Sequence, residues 1–173
     1  MAKKYEKEGK QVVIYSGDND LLQAVDDNVT VLRSFDAKKP GSFIDKTWVL
    51  TESKFGILPQ FLPIYRSLLG DTSDSIPGVY QRLNRDVAKW IAMSISAPDE
   101  LAWLTPKTDL EKTWLDRIRT PECMSRFETN YKLMKLCEIP VDVLRYTDNI
   151  SESYDLLAKY KMFSILSYVR SLK

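Results

Sequence analysis

Two short acidic clusters hold the residues of this chain best suited to chemistry. In Gly17-Asp18-Asn19-Asp20 the carboxylates stand two positions apart, where a β-rich apolar run gives way to a helical pattern. In Gly70-Asp71-Thr72-Ser73-Asp74-Ser75-Ile76-Pro77-Gly78 they stand three apart, directly after a helical stretch that ends in glycine. Together the clusters offer four carboxylates and no nitrogen or sulfur donor, an all-oxygen set that suits Mg2+ or Mn2+ rather than zinc or copper. A cation held this way neutralises phosphate and helps orient a water, so phosphodiester hydrolysis is the reaction class indicated. Each cluster also has a plain structural reading, Asp20 as a helix N-cap worth about 1 kcal/mol and 70–78 as a polar turn. The pair Asp26-Asp27 reads as a solvated helix end.

Composition narrows the alternatives. The 173 residues include no histidine, which removes Ser-His and Cys-His nucleophiles, imidazole acid-base catalysis and His-containing zinc sites. The two cysteines, Cys123 and Cys137, read as reduced thiols packed in helices of a cytoplasmic protein. With six glycines and neither a Gly-x-Gly-x-x-Gly turn nor a glycine loop ending in Gly-Lys-Ser/Thr, nucleotide-cradling readings lose support. Lys plus Arg number 25 against 24 Asp plus Glu, so any nucleic-acid surface must be a local patch. Residues 1–10 are charged with no apolar core behind them, and the longest apolar run is far too short for a bilayer, so neither a secretory leader nor a membrane span is expected.

The elements that must position the clusters follow from periodicity. Residues 1–10 read as the last turns of a helix closed by Gly9. Residues 11–16 form a continuous apolar run, expected to be a strand buried on both faces of a parallel sheet. Residues 20–25 read as a short helix with Asp20 at its N-cap and Gln23 three positions on. A second strand is expected at 29–35 and a third extended segment within 43–50, joined by a loop at 37–42. After residue 50 the apolar spacing turns helical, at 52–55, 58–69, 86–94, 100–104, 110–117, 125–137 and 151–172. The fold class expected is α/β, with a thin α/β lobe at 1–50 and a helical lobe at 51–173. Three strands are few for a sheet covered on both faces, which points to further structure on the N-terminal side.

The stretch Val13-Ile-Tyr-Ser-Gly-Asp-Asn-Asp-Leu-Leu-Gln23, followed by Tyr65-Arg-Ser-Leu-Leu-Gly-Asp-Thr-Ser-Asp-Ser-Ile-Pro-Gly-Val79, resembles the 5′-nuclease family. That family includes flap endonucleases, phage 5′-to-3′ exonucleases and the nuclease domain of bacterial DNA polymerase I. Residues 54–62, 131–141 and 160–172 resemble later family segments, so the similarity runs over nearly the whole chain but only over the C-terminal part of a 5′-nuclease domain. The resemblance implies a partial PIN-like sheet followed by a helix-hairpin-helix-type lobe, acting on DNA 5′ ends, flaps or RNA primers. It places Asp18, Asp20, Asp71 and Asp74 on family aspartates associated mainly with the second metal, Mg2+ or Mn2+. The earlier acidic ligands and the helical arch of the family have no counterpart here, so catalysis is expected to need an N-terminal half, supplied by a separate chain or by preceding polypeptide.

After Ile-Pro-Gly-Val the family carries a glycine-rich hairpin whose N–H groups face phosphates, often with K+. Here the stretch is Tyr80-Gln-Arg-Leu-Asn-Arg-Asp86, and without glycines a close backbone approach is harder. The candidate DNA contacts are therefore Gly78, Gln81, Arg82, Asn84, Arg85 and Lys89, with a solvated helix face as the other reading of the charged ones. Two further possibilities stand beside the nuclease. One is a non-catalytic remnant that binds branched DNA or a replication protein. The other is a homodimer that completes its sheet across a two-fold axis.

Overall fold

In a computed structural model of the chain, residues 2–33 and 43–137 are described. The loop expected at 37–42, the helix expected at 151–172 and the family-like segment at 160–172 lie outside them. The β-branched run Val12–Tyr15 (β1) pairs in parallel with Val29–Leu32 (β2), in the register Val12↔Val29 to Tyr15↔Leu32. Phe43–Ile44 (β3) pairs with β2 antiparallel, Val31 facing Ile44. The sheet is therefore mixed, not parallel. The 33–42 connection is shorter than the roughly dozen residues that a parallel crossover takes, whereas an antiparallel return needs far fewer.

The expectation that β1 is buried on both faces is also corrected. Ile14, Val31 and Ile44 share the face that meets the helices, the last two fully buried. On the opposite face Val13, Tyr15 and Phe43 are 53%, 50% and 60% exposed. A continuous apolar run thus conceals a two-sided strand, because side chains alternate across a sheet whatever their chemistry.

Ahead of β1, Ala2–Lys7 (α1) ends as its glycine predicts. Gly9 adopts φ +74°, its N–H donates to the Glu6 carbonyl at 2.8 Å, and the Lys10 N–H reaches back to the Tyr5 carbonyl at 3.0 Å. After β3 the chain leaves the extended state sooner than its apolar residues suggest. Asp45 accepts a hydrogen bond from the Trp48 N–H at 2.8 Å and starts Lys46–Thr51 (α2), so most of 43–50 is helix. Residues 52–55, expected helical, instead make a turn in which Ser53 Oγ accepts from the Phe55 and Gly56 N–H groups. Gly56 takes φ +58° there, and the serine's bonds to nearby backbone compete with the helical ladder.

A 3-10 turn at Pro59–Phe61 leads into Leu62–Leu69 (α3), the most buried helix, which packs against Arg85–Ser94 (α4) and Pro121–Met134 (α6). Between these lie a 3-10 helix, Pro98–Trp103, and Asp109–Ile118 (α5), which opens with a reciprocal capping box between Thr108 and Glu111. Residues from both sides of position 50 enter one buried cluster, with Leu22, Val31 and Ile44 alongside Leu62, Leu68, Ile91, Leu115 and Phe127. The described residues belong to one compact unit, Met1–Glu138. Among them no helix is long and apolar enough to cross a membrane. Cys123 is buried in α6, but Cys137 is exposed beyond that helix, so only the first thiol is packed as expected.

The loop 70–78 is held against α3 at unusually close range. Asp71 and Ile76 exchange backbone hydrogen bonds at 2.8 Å, and the Val79 N–H donates to the Leu68 carbonyl at 2.9 Å. Gly70 sits at φ +77°, where an added Cβ would lie 2.4 Å from the Gly78 nitrogen and from the Ile76 oxygen. Buried Asn130 of α6 clamps the same place, its Nδ2 donating to the Ser67 carbonyl at 2.9 Å and the Pro77 carbonyl at 2.8 Å. Gly70→Ala is expected to cost about 3 kcal/mol, since it combines a backbone conformation reserved for glycine with a clash against backbone. Urea denaturation followed by circular dichroism checks this; a loss below about 1 kcal/mol would contradict it.

Candidate active site at the paired aspartates

The residue that caps the helix after β1 is Asp18, not Asp20. Asp18 is extended, at φ −75° and ψ 126°, and its Oδ1 accepts the Asp20 N–H at 2.8 Å, while its own N–H donates to Ser16 Oγ at 3.1 Å. The helix that follows, Asn19–Ala24, is 3-10. Gln23 takes no part in capping; it donates to the Met134 carbonyl at 2.7 Å and accepts from the Leu136 N–H at 3.2 Å, tying this helix to the end of α6. Asp26, in the turn behind, accepts from the Asn28 and Val29 N–H groups. Asp27 pairs with Lys46 at 2.9 Å.

Relieved of capping, the Asp20 carboxylate turns toward α3 and accepts from Nη1 of Arg66. The other guanidinium arm, Nη2, donates to Asp71 Oδ2. Arg66 is 5% exposed, and its guanidinium also lies over the Phe55 ring, 5.8 Å from the centroid. A guanidinium is the side chain suited to this place, because its rigid fork can serve two carboxylates at once and it remains charged when buried. The sequence reading missed Arg66. Its signal was the helical pattern of 62–69, which puts position 66 among apolar residues on a buried face, where an arginine must be paired.

Asp71 is a strongly perturbed carboxylate. Its Oδ1 accepts from both the hydroxyl and the N–H of Ser73, and its Oδ2 from Arg66. The Ser73 hydroxyl above all, then the Ser73 N–H and the Arg66 charge, outweigh burial and bring its pKa down to about 2. Asp74 is exposed on the 71–76 turn, beside Ser75 at φ +58°. The structure thus draws Asp20 and Asp71 onto one cation of the protein itself, with Asp18 next to them along the chain and Asp74 at the surface. The donor atoms are of the right kind for Mg2+ or Mn2+, yet among the described residues no group of three or more acidic or cysteine side chains converges to hold an ion. The arrangement with Arg66 in place is an ion-paired triad, not an assembled metal cage.

The six expected DNA contacts separate into different surroundings. Gly78 packs so closely that an added Cβ would lie 2.7 Å from the Leu69 oxygen. Asn84 caps α4, accepting from the N–H groups of Asp86 and Val87. Gln81 and Arg82 are exposed in the turn before α4, where Arg82 takes φ +58° without being glycine. Arg85 is exposed on α4 near buried Tyr65; burial raises the Tyr65 pKa and the Arg85 charge opposes that rise. Lys89, half-buried, lies over Gly56, its Nζ 2.9 Å from where a Cβ would stand.

Removing Arg66 leaves two carboxylates facing each other without a cation. Arg66→Met is expected to destabilise the fold by about 3 kcal/mol, measurable by chemical denaturation; a neutral outcome would mean the pair is not coupled to folding. The depressed Asp71 pKa carries a pH dependence. Stability from this group is fully present above the ordinary carboxylate value of 3.8 and is lost as pH falls toward about 2. In Asp71→Asn that segment of the acid-unfolding profile should flatten, while a profile of unchanged shape would contradict the assignment.

No protein-family model matches this chain. Individual relatives do. DNA polymerase I of Mycobacterium tuberculosis is 37% identical over 92 residues, which is 53% of this chain and 10% of that protein. The 5′-3′ exonuclease of Aquifex aeolicus is 39% identical over 79 residues, 46% of this chain and 25% of that protein. The thermostable DNA polymerase I of Thermus aquaticus is 40% identical over 79 residues, 46% of this chain and 9% of that protein. The matched region thus spans a quarter or less of the length of these relatives. Over about half of its length, then, this chain is similar to proteins named DNA polymerase I and 5′-3′ exonuclease.

Proposed function

We propose that this chain contributes part of the active site of a divalent-metal-dependent 5′-to-3′ exonuclease or flap endonuclease acting on DNA. The observation that carries the reading is the meeting of Asp20 and Asp71, from two separate motifs, at a single buried guanidinium. The relatives named 5′-3′ exonuclease and DNA polymerase I support the same reaction class. Asp18, Asp20, Asp71 and Asp74 are the residues to hold Mg2+ or Mn2+, and the ion supplies neutralisation of phosphate charge and orientation of a water. The chain's own groups prepare that site: Arg66 keeps two carboxylates close despite their repulsion, and the Ser73 bonds keep Asp71 ionised. Arg82, Arg85 and Lys89 supply cations for the backbone of a 5′ end, a flap or an RNA primer. Hydrolysis by two metals needs further carboxylates, supplied by an N-terminal half on a separate chain or on preceding polypeptide.

A second reading has a specific observation behind it. Four carboxylates kept together without a metal would repel, but Arg66 gives Asp20 and Asp71 a structural reason to persist. A non-catalytic remnant of the fold, binding branched DNA or a replication protein, is therefore the rival.

Cleavage of a 5′-flap substrate with Mg2+ or Mn2+ tests the first reading. The chain alone should cleave weakly and recover activity when a polypeptide carrying the missing carboxylates is added, and Asp20→Asn should lower the restored rate on the order of a hundredfold. Vigorous cleavage by the isolated chain would overturn the half-site proposal. Asp74→Asn separates the two readings most cleanly, because Asp74 is exposed and its loss leaves the Arg66 pairs intact. Calorimetric Mn2+ binding that this substitution weakens supports a metal site, whereas no binding in either protein supports the remnant.

A further inference from the structure

Two of the six candidate contacts, Gln81 and Arg82, line a surface trough whose other cations no sequence motif marked. One hollow is lined by the 79–82 turn, with Gln81 and Arg82, and by Arg117, Thr120 and Arg126 from the α5–α6 junction. A second hollow, lined by Asp74 and the 74–77 segment on one side and α6 on the other, shares Glu122 and Arg126 with the first. The two adjoin, with Glu122 and Arg126 lining both and Arg82 and Arg117 lining the first. In the first hollow three guanidinium groups face one carboxylate, in a protein whose charges otherwise balance.

The cations are positioned and available. Arg117 lies over the Trp114 ring, 5.0 Å from its centroid, and Trp114 in turn meets Tyr80 edge-on at 6.0 Å and 82°. This chain of contacts orients a guanidinium at the groove without neutralising it. Arg126 pairs with Glu122 at 2.9 Å, but the glutamate is largely exposed and such a surface pair is weak enough to yield to a phosphate. Among the described residues neither Arg82 nor Arg117 has a carboxylate partner. Arg82 is presented by a backbone conformation uncommon for a side-chain-bearing residue. Planar guanidinium forks with amide and hydroxyl neighbours match phosphate oxygens, not an apolar ligand.

We propose that this trough binds the phosphodiester backbone of DNA, with Arg126, Arg82 and Arg117 taking successive phosphates beyond the Asp74 loop. The inference rests on the nuclease reading for the identity of the ligand, but not on catalysis. It also separates Arg82, which joins the trough, from Arg85 and Lys89 on α4, whose neighbours are Tyr65 of α3 and Gly56.

Fluorescence anisotropy of a labelled 5′-flap duplex, titrated with the full chain across a salt series, provides the test. Each phosphate contact contributes about 0.9 to the slope of log affinity against log salt, so Arg117→Ala/Arg126→Ala should make the slope shallower by roughly 1.8 and weaken binding at 0.1 M salt by tenfold or more. Arg117→Lys/Arg126→Lys should retain most of the slope, and Lys107→Ala, outside the trough, should leave it unchanged. Binding by the double alanine variant at wild-type slope, with its fold intact by circular dichroism, overturns the trough and leaves the nuclease reading standing. Failure of the wild-type chain to bind the duplex even at low salt overturns both.

Discussion

A buried guanidinium sets the terms for this site. Arg66 lies in the helix that forms the centre of the fold, and removing its charge from water costs several kcal/mol unless carboxylates replace the lost hydration. Asp20 and Asp71 do so from opposite directions, one following the first strand and the other following α3. The arginine therefore constrains both chain segments. The 3-10 helix after β1 must turn its acidic side chain inward, and the loop after α3 must double back within reach.

The precision of that loop comes from close packing as much as from charge. Gly70 and Gly78 permit a backbone approach that a methyl group would block, and buried Asn130 donates to the Ser67 and Pro77 carbonyls on either side of the tight turn. Ser73 then aims the Asp71 carboxylate and keeps it ionised. Charge, close packing and polar satisfaction converge on a few residues, so the acidic site and the stability of the fold are the same physical problem. An acidic pair with an internal counter-cation has a structural role whether or not it also holds a metal.

The surface complements this buried balance. With almost equal numbers of acidic and basic residues, the chain has no long-range field to gather a polyanion, and attraction must come from places where cations cluster and acids are sparse. The hollow lined by Arg82, Arg117 and Arg126 is such a place. An open apolar sheet face, with Val13, Tyr15 and Phe43, lies elsewhere on the molecule.

What the sequence determined by itself was local or carried by motif: the helix closed by Gly9, the helical character of 58–69, 86–94, 110–117 and most of 125–137, and the two aspartate clusters with the family resemblance they bear. Such features depend on neighbours within a few residues, where capping, glycine conformation and apolar spacing act directly. Tertiary structure decided the rest. It assigned the cap to Asp18 and released Asp20, because the choice turned on which carboxylate a distant arginine would claim. It made the sheet mixed and left one face of β1 open, since an apolar run is silent about pairing direction and about what covers it. It also brought Arg82 together with Arg117 and Arg126, which no spacing could reveal, because a charged residue shows its partner only when the chain has folded and long-range contacts have set its surroundings.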